Sequence, residues 1–503
     1  MKTKIYIIFL TLLSLTSCND WLNVIPQGQV DAEDMLTTEK GYNAALGGVY
    51  YTLTTSSMYG KELSYGMMDM LAQYWDVSTT PSHTYYKLSQ YDYSNSTSIS
   101  KFNSIWKNFY AAIAQCNLIL SKIPTNRNDI KYSELIEGEA YALRAFCHME
   151  LFRLFGPVIK TEADLNKPAI PYRTEFNVTA EKFESGHAIL TKVKEDLLKA
   201  LELMKNDPIN LVGRKGDYNN SLLDYNDIIN RRGSRLNYYG VLGLLARNEQ
   251  LLLNQEQAYI YAKRIIDECE ETKVLSLIDK TNIESGTEAW KDLNYSTEML
   301  FALYTNNLYD LTDATFMMNG KGQSSSAFVI NSNLYTVFLN DLYGRQPDGA
   351  GTDNRLRYWF EGNEYGAYDL TKLRKAYEAS NLAATYDPEI PIMRMSEVYY
   401  IACEAQIGKN NELALSYLND VRETRNLTRL EGPLTDNVLL DYLVRDQRKD
   451  FIGEGRMFPL YKRLFLDIHV KTGLDIAADE NKFVFPIPDA EYEYSPNEKA
   501  SNK

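Results

Sequence analysis

Histidine, cysteine and net positive charge are all scarce in this 503-residue chain, and each scarcity closes a route to function. The four histidines, His83, His148, His187 and His469, stand far apart, with no H-E-x-x-H spacing to seat a catalytic zinc. The five cysteines include no C-x-x-C pair, so neither a zinc ribbon nor a dithiol redox centre is indicated. Lys and Arg number 53 against 67 Asp and Glu, a net charge of −14, which argues against the clustered basic face that nucleic acid requires. No phosphate-cradling G-x-x-x-x-G-K-[ST], no G-x-G-x-x-G after a strand and no G-x-S-x-G elbow occurs. Gly322-Gln323-Ser324-Ser325-Ser326 comes nearest to the last and reads as a flexible loop. No cofactor is implied. Acidic residues are plentiful, so a glycosidase carboxylate pair stays open.

Tyrosine is abundant, 38 against 18 Phe and 5 Trp. Its amphipathic ring suits ligand recognition at small entropic cost, and it packs equally well between helices. Hydrophobics at 45% are ordinary for a folded chain able to bury a sizeable core.

The N-terminus carries an address. Lys2 and Lys4 precede the apolar run IYIIFLTLLSL, too short for a bilayer span and fitting the core of a secretory signal. Leu15-Thr16-Ser17-Cys18 then resembles a bacterial lipobox, which makes residues 1–17 a signal peptide and Cys18 a lipidated mature N-terminus. Several acyl chains on one residue anchor stably, so the chain is expected to be membrane-anchored rather than spanning. Loss of Lys2 and Lys4 takes the net charge from −14 to −16. The remaining cysteines, Cys116, Cys147, Cys269 and Cys403, lie in helical patterns and read as buried small hydrophobes.

Helical periodicity dominates. Residues 104–123 place Ile105, Phe109, Ile113, Cys116 and Leu120 on one stripe, with Pro124 as the stop. Residues 134–155 repeat the pattern, and a third helix is expected from about 180 to 204. Residues 235–254 with 256–271, and 396–408 with 412–425, form two hairpins with small residues at their crossings, among them Ala246, Ala258, Ala262, Ala402 and Ala405. Close antiparallel approach of this kind is tetratricopeptide-like, although the spacing is irregular. The predicted fold is therefore mostly α, with tetratricopeptide-like hairpins and a long irregular, loop-rich ligand-binding portion. Within one domain, 18–503, an N-terminal part covers about 18–270, a loop-rich insertion about 272–384 and a C-terminal helical part about 385–503.

Two regions break the helical rhythm, residues 56–100 and 272–384, and long loops inside a compact domain usually carry function. The first holds Trp75 flanked by Asp76, with Tyr85 and Tyr86 ten residues on; the second holds Trp290, Tyr309, Tyr335 and Arg345. A flat ring packs on the C–H face of a sugar while planar polar groups meet its hydroxyls, so these eight are the candidate ligand-binding residues. Trp106 and Trp359 sit in strongly patterned surroundings and read as structural. No catalytic or metal site is assigned.

The segments CNDWLNVIPQGQV, TTEKGYNAALGGVYYTL, FNSIWKNFYAAIAQCNLIL, GEAYALRAFCHMELFRLFGPV, PIMRMSEVYYIACEAQ, QRKDFIGEGRMFPLYKRL and FPIPDAEYEYSPN follow one another in an order that resembles the SusD/RagB outer-membrane lipoproteins of Bacteroidetes. Glu454, Gly455, Lys462 and Arg463 match a family stretch from which Met457, Pro459 and Leu460 depart. The resemblance implies a non-catalytic, surface-exposed, nutrient-binding lipoprotein that acts as a lid on a SusC-like TonB-dependent outer-membrane receptor. Its implied ligand is an oligosaccharide or, as in RagB-like members, a peptide. The family's site draws partly on the N-terminal third, which makes Trp75 the leading candidate. A lipid-anchored glycoside hydrolase and a protein-only scaffold stand as readings of other classes.

Overall fold

The structure is a computed structural model that describes residues 35–214, 228–284, 292–316, 327–344, 351–363, 366–373, 388–471 and 473–493. The signal peptide, Cys18, Trp290 and Arg345 lie outside the described residues.

Helix α1 (Glu39–Thr54) starts where Thr38 accepts the Gly41 amide, 3.1 Å, and it buries Tyr42, Leu46, Val49 and Leu53 along one stripe. Short helices α2 (Met67–Leu71) and α3 (Tyr86–Ser89) punctuate the first irregular region. Helix α4 (Ser96–Asn126) runs through Pro124 rather than ending there. The proline sits in the last turn, where its fixed φ suits the helix and one lost hydrogen bond is the main cost. Helix α5 (Ser133–Phe155) is buried on nearly every side between α4 and α6 (Gly186–Leu203), which also covers its charges: Arg144 forks onto Asp196 at 2.7 and 2.6 Å. Helix α6 begins later than its periodicity suggests. Glu184 is engaged in extended pairing with Ala169 and Ile170 at 2.8 and 3.0 Å, and Ser185 then caps the helix.

The hairpins follow as expected. Helix α7 (Tyr238–Leu251) packs on α8 (Gln255–Thr272), α8 packs on α12 (Met395–Gln406), and α12 on α13 (Asn411–Thr424). Ala258, Ala262, Ala402 and Ala405 are fully buried at these crossings. Cys116, Cys147, Cys269 and Cys403 are free and buried. Among the described residues no helix is long and apolar enough to cross a membrane.

Between α8 and α12 lies the insertion, and here the structure adds strands that the sequence pattern did not show. Strand β1 (Met299–Tyr304) pairs antiparallel with β5 (Glu389–Arg394), which leads straight into α12. Between them run α9 (Leu308–Phe316), β2 (Ile330–Asn331), α10 (Ser332–Val337), a π-helical turn Phe338–Leu342, α11 (Asn354–Trp359), β3 (Phe360–Gly362) and β4 (Ala367–Leu370), with β4 central in a three-stranded sheet. Toward the C-terminus come α14 (Asp436–Asp450), α15 (Met457–Leu464) and the hairpin β6 (Ile468–Lys471)–β7 (Leu474–Ile476), followed by single helical turns at Glu480–Phe483 and Ala490–Glu493.

A buried ionic joint fastens the insertion to the C-terminal helices. Glu298 receives Arg394, 2.8 Å, and Arg425, 2.5 Å. Asp450 receives the same two arginines and Arg355, at 3.0, 2.9 and 3.2 Å. These side chains are essentially inaccessible, so the pairing must satisfy charges that would otherwise be prohibitively costly.

Candidate functional site

The first irregular region is held in shape before any aromatic ring is placed. Asp69 on α2 accepts the amides of Gly453, 2.7 Å, and Gly455, 3.0 Å, strapping the segment to the turn before α15. Burial pushes its carboxyl up to about 8, against the pull of those two amides. Arg448 donates to the carbonyls of Ala72, 2.9 Å, and Gln73, 3.2 Å, and to the Tyr461 hydroxyl, 2.9 Å, while the Tyr74 hydroxyl returns a bond to the Arg448 carbonyl.

Trp75 follows directly and points inward. Its ring is 2% exposed, its indole N–H donates to the Tyr65 carbonyl at 3.3 Å, and it stacks on Phe328 at 5.3 Å and 9°. Phe316 and Phe338 close around it at 5.2 and 6.4 Å. Tyr85 is equally buried, with its ring 5.3 Å from Phe328, its hydroxyl donating to Glu62 at 2.9 Å and the Lys101 ammonium 4.7 Å over its face. His83 bridges the two regions. Its Nδ1 accepts the Tyr85 amide, 3.2 Å, which leaves Nε2–H to donate to the Ala327 carbonyl, 3.0 Å. Burial lowers its pKa and keeps this neutral tautomer.

The outer edge of this aromatic junction is more open. Asn331 caps α10 through the Leu334 amide, 2.9 Å, starting the helix that carries Tyr335. Alternation on β4 buries Ala367 and Asp369 and leaves Tyr368 half-buried on the other face. The two rings stack at 3.6 Å and 9°, and Tyr335 lies 6.2 Å from Phe360, which continues to Phe338. The π-helical turn then brings Asp341 and Leu342 to a groove of about 630 Å³. Leu440, Val444 and Phe465 give that groove apolar wall, and Arg445, Arg448 and His469 give it polar groups. His469 stands between Asp341, 2.8 Å, and Asp475, 2.7 Å. Among the described residues no cluster of His, Cys, Asp and Glu is arranged to hold a metal.

The structure therefore joins the two irregular regions, but it divides the candidates. Trp75 and Tyr85 pack inside the junction and turn no ring face outward. Asp76 is exposed, its carboxylate holding the Ser78 amide at 2.9 Å, and Tyr86 and Tyr309 are half-buried. Tyr335 sits on the open rim. Trp106 and Trp359 are buried, their N–H groups donating to Glu491 and to the Leu293 carbonyl, both 2.9 Å. Tyr368 and the groove residues of α14, α15 and β6–β7 were not singled out by sequence. The alternation around Tyr368 carries a strand signal, but the neighbouring Gly and Asn residues mask it.

Comparison with known proteins sets this geometry in a family. The model described as "Starch-binding associating with outer membrane" matches residues 21–214, and that described as "SusD family" matches 360–465. Among curated proteins, SusD-like proteins P38 and P2 of Formosa agariphila are each 22% identical; the alignments cover 90% and 98% of this chain and 90% and 95% of theirs. Among solved structures, a SusD superfamily protein of Bacteroides thetaiotaomicron superposes with a TM-score of 0.66 at 19% identity, over 93% of this chain and 98% of that one. A SusD-like carbohydrate binding protein of Bacteroides vulgatus gives 0.65 at 18%, over 94% and 99%. On the colinear match and the shared fold, the chain belongs to the SusD/RagB family.

Proposed function

We propose that this protein captures a neutral oligosaccharide at the bacterial outer membrane, tethered through Cys18, and delivers it without cleavage to a SusC-like TonB-dependent receptor. The observation that carries the reading is the half-buried Tyr335–Tyr368 stack on the rim of the aromatic junction between the two irregular regions, with the π-helical turn after α10 carrying Asp341 on into a polar-rimmed groove. The rings offer apolar faces for sugar C–H surfaces, and Arg445 and Asp475 in the groove supply hydroxyl partners. The acidic chain disfavours polyanionic glycans. The match to a family described as starch-binding and outer-membrane associated supports both the ligand class and the location.

Titration calorimetry of the full chain against a panel of neutral oligosaccharides, malto-oligosaccharides included, tests this. Binding is expected without the appearance of new reducing ends, and Tyr335→Ala or Tyr368→Ala is expected to weaken it by about 1 kcal/mol or more, roughly five- to tenfold. Unchanged affinity in both variants rejects the site. New reducing ends favour the hydrolase reading, and silence across the panel with co-purifying peptide favours the RagB-like one.

A further inference from the structure

Away from the candidate site, the C-terminal end of α5, helices α7 and α12, and the start of α15 converge on a cavity of about 40 Å³. Arg153, Arg247, Arg456 and Arg463 border it, against three carboxylates. Those carboxylates are already committed. Glu397 takes Arg247 and Arg456, at 2.9 and 2.6 Å. Glu404 takes both ends of Arg463 at 2.6 Å, and Glu150 takes Arg153 together with the Tyr59 hydroxyl, 2.9 Å. One positive charge is left over. Lys462 alongside offers no acceptor: its amine, pushed down to about 7 by burial and by Arg153, meets only the carbonyls of Arg153, Leu154 and Gly156, at 2.8, 3.4 and 2.7 Å.

Donors also outnumber acceptors. Gln250 Nε2, Tyr400 Oη, Arg247 Nη1 and Arg456 Nε are enclosed and have no protein hydrogen-bond partner. Arg247 Nη1 stands 3.6 Å from Glu150, beyond hydrogen-bonding range. Gln250, Tyr400 and Arg247 are 4%, 1% and 3% exposed, so bulk water does not relieve them.

We propose that this cavity is a binding site for a single monovalent anion of halide size, chloride under ordinary conditions. A water molecule brings two lone pairs but also two protons that would need acceptors. A halide accepts from every converging donor and offsets the excess positive charge. The volume exceeds the roughly 10–15 Å³ that one water needs but leaves no room for a sugar. Such an ion would hold together four like-charged guanidinium groups, from α5, α7 and both ends of α15, giving the helical half an ion-dependent seam.

Crystals of the full chain grown with sodium bromide, measured at the bromine absorption edge, test the site directly. The expected result is an anomalous peak in the cavity within hydrogen-bonding reach of Arg247, Gln250 and Tyr400. Water density there without anomalous signal overturns the proposal. In solution, replacing gluconate by chloride at fixed ionic strength is expected to raise the unfolding midpoint of the native protein by about 2 °C or more. The rise should shrink in Gln250→Leu and Tyr400→Phe. A native midpoint indifferent to the exchange also overturns the assignment, whatever the variants do.

Discussion

At the scale of the residue, burial decides which polar side chains are parts of the scaffold, and His148 shows how. It falls within the helical pattern of residues 134–155, and in α5 both of its ring nitrogens are partnered. Its Nε2 accepts the Arg173 amide at 2.9 Å, so Nδ1–H donates to the Arg144 carbonyl at 3.0 Å, and the ring stacks on Tyr172 at 3.8 Å. Burial lowers its pKa to about 3, below the ordinary histidine value, so the folded state favours the neutral ring. Its stabilising contribution is therefore full above about pH 6.5 and is lost as pH falls from there toward about 3, at ~1.4 kcal/mol per unit. Unfolding measured across this window should show a steeper acid loss in the native protein than in His148→Gln. Equal slopes would remove His148 as the titrating group. Trp75 illustrates the opposite case. Its loop context made it a ligand candidate and the family resemblance made it the leading one, but whether a loop aromatic faces solvent depends on partners far along the chain. Phe316, Phe328 and Phe338 could not be assigned to it by spacing, and together they bury it.

At the scale of the element, the helices were legible because each carries its own period, cap and stop, as in α1 with Thr38 or the α12–α13 hairpin. The strands were not, because β2 and β3 span two and three residues and are defined only by pairing with β4. The turn 452–456 depends on glycine in a way that a period cannot reveal. Gly455 has φ +67, its amide feeds Asp69, and an added Cβ would sit 2.2 Å from the Leu63 carbonyl oxygen. The obstacle is backbone, so it cannot swing aside. Gly455→Ala is expected to cost about 2–3 kcal/mol in denaturant unfolding, since conformational strain and the clash act together. A loss below ~0.5 kcal/mol would mean that the strap between α2 and α15 yields easily.

At the scale of the whole molecule, colinear segments made the family readable before any contact was known, because the order of weak patterns carries information that each one lacks. The groove was not readable, since its walls come from the insertion, α14, α15 and the last hairpin. The joint that sets their relation is the Glu298–Asp450 network. Burial alone would raise the Asp450 carboxyl, but Arg425, Arg394 and Arg355 hold it well below the usual range. Asp450→Asn leaves those arginines short of one counter-charge and is expected to destabilise by about 3–5 kcal/mol in thermal or denaturant unfolding. A change within ~1 kcal/mol would show that the joint relaxes around the missing charge.

That joint also sets an order of events on heating. The hydration that buried ions give up becomes less favourable as temperature rises, so the penalty for keeping Glu298, Asp450 and their arginines dry shrinks. Apolar contacts gain nothing comparable. Warming therefore favours the ionic seam between insertion and C-terminal helices over contacts held by apolar packing alone, and that seam is expected to be among the last to open.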